Sequence, residues 1–568
     1  MRYFVLATDY DGTLATDGHV HDATKDALKR LRTSGRKSIL VTGRELDDLQ
    51  RVFPELDLFD YVVAENGAVL YCPATKQEKL LGTLPPDEFI QALQAKNVDP
   101  LSVGKVIVAT WHPNENKVLE TIREQGLELQ VIFNKGAVMV LPSGINKAAG
   151  LKAALEEMKL SLHNVVAVGD AENDHAFLNI SECSVAVANA LPVVKEKVDI
   201  VTEGSRGDGV IELIDKLIAS DLSEVDETLQ GNNIHVGKGE NDVEVSIKPY
   251  STTALLAGTS GGGKSTLATG ILERIAEAGY QFCIIDPEGD YENFAGAVVL
   301  GDADRAPSID EIQSILEQPN QNLIINLLGV GLQDRPKFFA ELLPALLELR
   351  SRTGRPHWII VDEAHHLLPT SLNTAAFTLP QQLHGVMMIT VHPDHMAPAA
   401  LSLVNTMLTV GQAPENNIKL FCETVGDKTP ELTPQKLEKG EALIWFRGNE
   451  PQRFRFTPGK TERRRHVRKY AEGQLGEDKS FYFTGKEGKL KLRAQNLILF
   501  TQIGEGVDDE TWLHHLHQND YSRWFREAIK DNSLAEEVEE IEKNANGSAS
   551  ESRQAIKAAI EERYTLPA

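Results

Sequence analysis

Twelve residues near the middle of the chain, Leu255 to Thr266 (LLAGTSGGGKST), constrain its fold more than any other stretch. A short apolar run, Ala254 to Ala257, breaks into a glycine-rich turn and reopens as an expected helix from Thr266 to Ala276. The turn has the spacing G-x-x-x-x-G-K-S, from Gly258 through Gly263 to Lys264 and Ser265. Gly261, Gly262 and Gly263 carry no Cβ, so the backbone can curl and turn successive N–H groups toward one anion. Lys264 then reaches the β- and γ-phosphates of a nucleotide, and the Ser265 hydroxyl holds Mg²⁺. Thr266 opens a helix whose positive end faces the same phosphates. The rival reading is an incidental glycine-rich loop; a strand before it, a helix after it and the intact GKST argue for a nucleotide site.

A chain of 568 residues exceeds what one hydrophobic core supports, and about three or four domains are expected. The composition, 42% hydrophobic and 25% charged, is that of a soluble globular protein. No apolar run approaches the ~20 residues that span a bilayer. The opening MRYFVLATDYDGT passes from a single Arg directly into acidic residues, so no signal peptide is expected. Cys72, Cys183, Cys283 and Cys422 lie far apart, which favours a reducing, cytoplasmic setting over a disulfide or zinc framework. The net charge of −25 counts against nucleic-acid binding by the whole surface but leaves room for a local basic channel.

In the first part of the chain, apolar runs end repeatedly in polar signatures. Residues 3 to 8 lead into Asp9-Tyr10-Asp11-Gly12-Thr13, Ser38 to Val41 into Thr42-Gly43-Arg44, and Val165 to Val168 into Gly169-Asp170-Ala171-Glu172-Asn173-Asp174. Gly144-Ile145-Asn146-Lys147 opens a helix between them. Two carboxylates two residues apart at the end of a buried strand point the same way, which is costly unless a cation or phosphate chemistry requires it. Strands alternating with helices imply a parallel sheet with its functional residues at the strands' C-terminal ends.

These four pieces, in this order, resemble the haloacid dehalogenase (HAD) phosphatase superfamily over roughly the first 220 residues. Glu65-Asn66-Gly67-Ala68 and Gly207 to Leu217 look like the Cof-type branch, with an α/β cap at about 80–143. The resemblance implies Asp9 as nucleophile and Asp11 as general acid/base. It implies Thr42 and Lys147 on the phosphoryl oxygens, and Asp9, Asp11, Asp170 and Asp174 around Mg²⁺, with Asn173 supporting. A phosphate monoester would be the substrate. Trp111 is open between contact with that substrate and a place in the core or rim.

Beyond the glycine-rich turn come Asp286-Pro287-Glu288-Gly289-Asp290-Tyr291 and Trp358-Ile359-Ile360-Val361-Asp362-Glu363-Ala364-His365. An apolar strand ending in two acids suits Asp362 ordering Mg²⁺ and Glu363 polarising the attacking water. With the turn, these segments resemble the HerA/FtsK clade of ATPases over about 245–458. The resemblance implies ATP as ligand, a homo-oligomer of hexameric-ring type and an arginine finger, for which Arg335, Arg350, Arg352 and Arg355 are candidates against a solvated role. It leaves DNA open as a partner. Met388 to Pro393 occupies the place of that clade's sensor strand; Gln or Asn is more usual at its end, and His392 is open between a γ-phosphate sensor and a structural histidine. No equivalent of the N-terminal barrel of HerA translocases is evident.

The expected architecture is therefore α/β. A HAD Rossmann-like parallel sheet with its cap (1–222) leads through a linker (223–244) into a RecA-like P-loop ATPase domain (245–460). A basic linker and helical module (461–568) end the chain. The basic run Thr461 to Lys469 reads as a solvated linker or a phosphate contact. His514, His515 and His517 read as packed or surface histidines, with a metal site as the rival. Two readings of the whole follow: a phosphatase that an ATPase regulates, scaffolds or drives, or a nucleic-acid motor or phage-defence effector whose HAD part processes nucleotides or ends.

Overall fold

The computed structural model describes the chain except residues 226–228, 230–231, 260–261, 372–378, 433–435, 461–469, 471–474, 477–478, 486–487, 489, 530, 545–547 and 565–568. Gly261 and the basic run 461–469 thus lie outside the described residues.

Strands buried on both faces read as nearly continuous apolar runs rather than alternating ones. Val5–Thr8, Lys37–Val41, Val165–Gly169 and Cys183–Ala186 follow that rule. With Ile200–Val201 and Tyr61–Ala64 they make six parallel strands, which the antiparallel pair Val69–Cys72 and Gln77–Leu80 extends to eight. Helices Asp22–Thr33, Lys147–Met158 and Gly207–Ser220 bury their apolar stripes against this sheet. Between Gln77–Leu80 and Lys147 the chain forms a cap. Leu101–Val103, Val108–Trp111, Leu129–Asn134 and Ala137–Pro142 form an antiparallel sheet backed by helices Asp87–Ala95 and Glu115–Gln125.

The second sheet has eleven strands. Seven are parallel, in the order Thr406–Val410, Thr253–Gly258, Val386–Thr390, Trp358–Val361, Phe282–Asp286, Asn322–Asn326, Ala297–Leu300. Glu441–Phe446 and Gln452–Phe456 continue it antiparallel beside Thr406–Val410, and Ile234–Lys238 and Glu244–Ile247 complete that edge. This differs from the expected linker at 223–244: Ile234 and Val236 are buried in the core of the second sheet. The Asn- and Gly-rich surroundings hid a strand whose stability comes from pairing with Gln452–Phe456, more than two hundred residues away.

The two sheets meet through the N-terminal ends of their strands. His163, Glu182 and Arg2 precede strands of the first sheet; Tyr250, Tyr280 and His357 precede strands of the second. The His163 and Tyr280 rings stack at 3.7 Å, and the Arg2 guanidinium lies 4.0 Å over the Tyr250 ring. The fully buried Glu182 carboxylate accepts from Arg2 (2.8 Å), from His163 Nδ1 (2.7 Å) and from the Tyr280 hydroxyl (3.2 Å). Arg355 Nη2 donates to the carbonyl of Lys159 at 2.7 Å. Both sets of strand C-terminal ends consequently point away from this junction.

The C-terminal part pairs Phe481–Phe483 with Leu492–Ala494 under helices Leu497–Gly506, Asp509–His517, Asn532–Asn544 and Ala549–Tyr564. Its core is aromatic: Phe481, Phe483, Phe500, Trp512 and Tyr521 pack together.

Candidate active sites

At the C-terminal end of the first sheet, Asp9 follows Val5–Thr8 and Asp170 follows Val165–Gly169, on neighbouring parallel strands. Asn146 caps the helix Lys147–Met158 by accepting from Ala149 N–H at 3.0 Å, which sets Lys147 in the first turn pointing inward. The buried Lys147 ammonium lies 2.5 Å from Asp9 Oδ1 and 2.6 Å from Asp174 Oδ1. The other Asp174 oxygen accepts the N–H groups of Asp170 (2.8 Å) and Ala171 (2.9 Å), so Asp174 braces the loop carrying Asp170. Gly12 has φ +90°, and a Cβ there would fall 2.4 Å from Asp170 Oδ2; only glycine lets the two loops approach so closely.

Burial, reinforced by Asp174, raises the Asp9 carboxyl to about 7 against the pull of Lys147. Burial also raises Asp170. Burial alone would lower the Lys147 ammonium, but Asp174 and Asp9 hold it above the usual lysine range. Asp9, Asp170 and Asp174 each offer an oxygen within 4.8 Å of the others, a set of hard donors suited to Mg²⁺. The demand for positive charge is visible in the structure itself. Lys135, from the cap, places Nζ 2.8 Å from Asp170 Oδ2 and 3.3 Å from the Asp11 carbonyl. Lys135 and Gly136 form a two-residue hairpin turn with φ +48° and +89°, the combination that keeps the strands in twist and here aims the lysine at the core.

Asp11 is engaged by Arg44, which donates Nε to Oδ2 (2.6 Å) and Nη2 to Oδ1 (2.7 Å). Thr42 is buried beside it, its hydroxyl accepting the Arg44 N–H at 3.1 Å. Asn173 donates to Asn66 Oδ1 at 3.2 Å. Trp111 is 53% exposed and lines, with Gly43, Arg44, Thr110 and Met139, a cleft of about 600 Å³ between cap and core. It is therefore not a core residue, and its place on the rim of the cleft is compatible with contact to a bound substrate. Sequence reasoning missed Lys135, Arg44 as partner of Asp11, and the role of Glu65. The buried Glu65 carboxylate accepts the N–H groups of Lys105, Val106 and Ile107 at 2.8–3.0 Å, pinning the cap to the core. The ENG motif marked the position; the bonded partners are about forty residues on and carry no signature.

At the C-terminal end of the second sheet, Gly262, Gly263 (φ +98°) and Lys264 lead into the helix Lys264–Glu277, with Ser265 and Thr266 in its first turn. Lys264 Nζ donates to the carbonyls of Gly258 (2.8 Å) and Thr259 (3.1 Å). One strand, Val386–Thr390, separates the Gly258 strand from the one ending at Asp362, so the two tips stand two strand spacings apart, about 10 Å. Asp362 is pushed well above the usual carboxylate range by burial, then by Asp286, Glu363 and Asp290. It accepts the Glu363 N–H at 3.0 Å, and Glu363 has φ +41°, which turns its side chain off the strand line. His365 Nδ1 meets Thr390 Oγ1 at 3.1 Å.

Two of the arginine-finger candidates have other work. Arg355 is fully buried, bonded to Gln281 Oε1 and the Leu316 carbonyl, and Arg350 bonds the carbonyls of Pro356 and His384. Neither is a solvated helix-surface arginine; both fasten the N-terminal ends of strands. In the C-terminal part, His515 uses both ring nitrogens, with Asp520 at 2.7 Å and the Thr484 N–H at 3.0 Å.

Fold and site together define a phosphate-processing hydrolase fused to a second, nucleotide-type P-loop domain. The haloacid dehalogenase-like hydrolase family matches residues 6–95 and 85–214, and the central domain of helicase HerA matches residues 234–339. The chain belongs to the haloacid dehalogenase-like hydrolases through its N-terminal part and continues into a HerA-type domain. It is 30% identical over 220 residues to a phosphoglycolate phosphatase of Methanothermobacter thermautotrophicus, covering 37% of this chain and 96% of the relative. It is 29% identical over 229 residues to phosphoglycolate phosphatase 2 of Saccharolobus solfataricus, covering 39% and 96%. A 5-amino-6-(5-phospho-D-ribitylamino)uracil phosphatase of Bacillus subtilis is 28% identical over 238 residues, covering 37% and 94%. Among the described residues no helix is long and apolar enough to cross a membrane.

Proposed function

We propose that the N-terminal part hydrolyses a small phosphate monoester through an aspartyl-phosphate on Asp9, and that the HerA-type part hydrolyses ATP and regulates or scaffolds that activity. The observation that carries the first half is the convergence of Lys147, Asp9 and Asp174 within 2.6 Å contacts in a buried pocket. Asp9 attacks phosphorus in line as the bond to the leaving oxygen breaks, with Lys147 and Thr42 bonding the phosphoryl oxygens. Asp11, once off Arg44, gives its proton to that leaving oxygen, then takes one from the water that attacks the aspartyl-phosphate, freeing Asp9 and inorganic phosphate. Asp9, Asp170, Asp174 and the Asp11 carbonyl would hold Mg²⁺, which supplies charge neutralisation at the phosphoryl group. The relatives' names make 2-phosphoglycolate the first substrate to try. In the second half, Gly258, Gly262, Gly263, Lys264, Ser265 and Thr266 would hold the phosphates and Mg²⁺ of ATP. Asp362 would complete the metal set, and Glu363 would orient water.

The test is a phosphatase screen with Mg²⁺ on the intact chain. Asp9→Asn should lose at least about 10³-fold in kcat/KM, while Lys264→Ala keeps phosphatase activity and loses ATP hydrolysis. Full phosphatase activity in Asp9→Asn would sink the reading. The HerA match favours a second reading, a DNA-driven ATPase in a homo-oligomeric ring; ATP hydrolysis stimulated severalfold by DNA, and abolished in Lys264→Ala, would support it over regulation.

A further inference from the structure

The segment after Val386–Thr390 holds a group of side chains to which the proposed function assigns no step. Val391-His392-Pro393-Asp394-His395 passes from the strand into a single helical turn, Pro393–His395. A spacing of three residues in such a turn eclipses the side chains, and the His392 and His395 rings lie 4.7 Å apart at an interplanar angle of 26°. Asp394 is between them, its Oδ2 3.7 Å from His395 Nε2. One donor atom from each of the three lies within 4.8 Å of the other two.

The backbone under this group is tied on both sides. His392 N–H donates to Thr390 Oγ1 (3.1 Å), Thr370 N–H donates to the His395 carbonyl (3.0 Å), and Met396 bridges to Pro369. The side chains themselves are exposed. A third imidazole, His365, has its ring 6.0 Å from that of His392, and His366 follows at 4.1 Å from His365.

We propose that His392, Asp394 and His395 form a second metal site, for a borderline divalent cation of the zinc, cobalt or nickel class, on the rim of the HerA-type domain. Two imidazoles and one carboxylate are the donors such ions select, whereas the Asp9–Asp170–Asp174 set is all oxygen and suits Mg²⁺. Metal–nitrogen bonds of ~2.0–2.1 Å require donors closer than they stand. Rotation of exposed side chains on a fixed turn closes that gap at little cost. Three protein ligands in a solvent-facing turn leave further positions open to water, the pattern of an exchangeable rather than a closed structural site.

The experiment is a Co²⁺ titration of the metal-stripped, untagged full-length chain, followed by visible absorption. Nitrogen-ligated, low-coordinate Co²⁺ absorbs far more strongly than Co²⁺ in an oxygen-only octahedral site. The expected result is an intense band saturating at one equivalent, displaced by Zn²⁺. It should be retained in Asp170→Asn and lost, or weakened at least tenfold in affinity, in His395→Ala and Asp394→Ala, whose far-ultraviolet dichroism and melting curves report that they fold. No intense band in the wild type, or an undiminished band in both variants, overturns the proposal; the latter result would point to histidines elsewhere, such as His514 and His517.

Discussion

Glu65 carries more than its motif suggested. One buried carboxylate receives three cap N–H groups, and charge-assisted bonds of this kind are the strong ones. Glu65→Ala leaves three donors without that acceptor, two of them, Val106 and Ile107 N–H, buried. It should cost about 1–3 kcal/mol in urea unfolding and raise KM severalfold through a looser cap; an unchanged KM with intact stability would refute the clamp. The Asp9–Asp170–Asp174 group makes a second residue-scale prediction. Burial and mutual repulsion hold Asp9 and Asp170 above the ordinary carboxylate range, and a cation relieves that strain. Mg²⁺ at about a hundred times its dissociation constant should stabilise the chain by about 2.7 kcal/mol. The accompanying rise in melting temperature should vanish on chelation and in Asp170→Asn.

Among the elements, the tightest fit is between the turn Glu65–Gly67 and the start of the helix Lys147–Met158. Gly67 has φ +106°, and a Cβ there would stand 1.9 Å from the Asn146 carbonyl oxygen. Asn146 is the residue that caps the helix and so aims Lys147. Gly67→Ala must therefore push the helix N-terminus away from the Asp9 strand. The expected loss is 2 kcal/mol or more, with phosphatase kcat falling further than Mg²⁺-independent stability explains. Calorimetry alongside a phosphate-release assay checks it. The cap hairpin is the complementary case: its turn places Lys135 over Asp170, while Trp111, one strand away, stays on the rim of the cleft.

For the whole molecule, the decisive feature is the junction at the N-terminal ends of both sheets, which sets the two sites at opposite poles. Within one chain, the direct physical link between the two sites is this junction. His357 lies there, 3% exposed, facing His163, Tyr250, Tyr280, Arg350 and Arg355, with Glu182 behind. Burial, then His163, Arg355 and Arg350, hold its imidazole well below the usual value. The unfolded chain takes up a proton near pH 6.5 that the folded one refuses. Stability from this group is thus complete above about pH 6.5 and declines as pH falls, by up to about 1.4 kcal/mol per unit. Between pH 7.5 and 5.5 the wild type should lose stability relative to His357→Asn, which keeps an acceptor for the Gln281 N–H and shares every other titrating group. Equal slopes in both proteins would exclude His357 as the cause.

Much of this was legible in the chain itself. The apolar runs ending at Asp9, Thr42, Asp170, Gly258 and Asp362 became parallel strands because a strand buried on both faces needs an unbroken apolar sequence, and parallel order brings such ends to one rim. Spacing within a turn is local, so GGGKST and the Lys147 helix start could be recognised without knowing what lay beside them. Tertiary structure alone decided the remainder: that Ile234–Lys238 is a strand, that Glu65 clamps the cap, that Lys135 reaches Asp170, that Arg350 and Arg355 are fasteners, and that the two sheets join at their N-terminal ends. Each depends on partners tens to hundreds of residues apart, whose meeting is set by packing and pairing energies summed over the fold rather than by the preference of any short stretch.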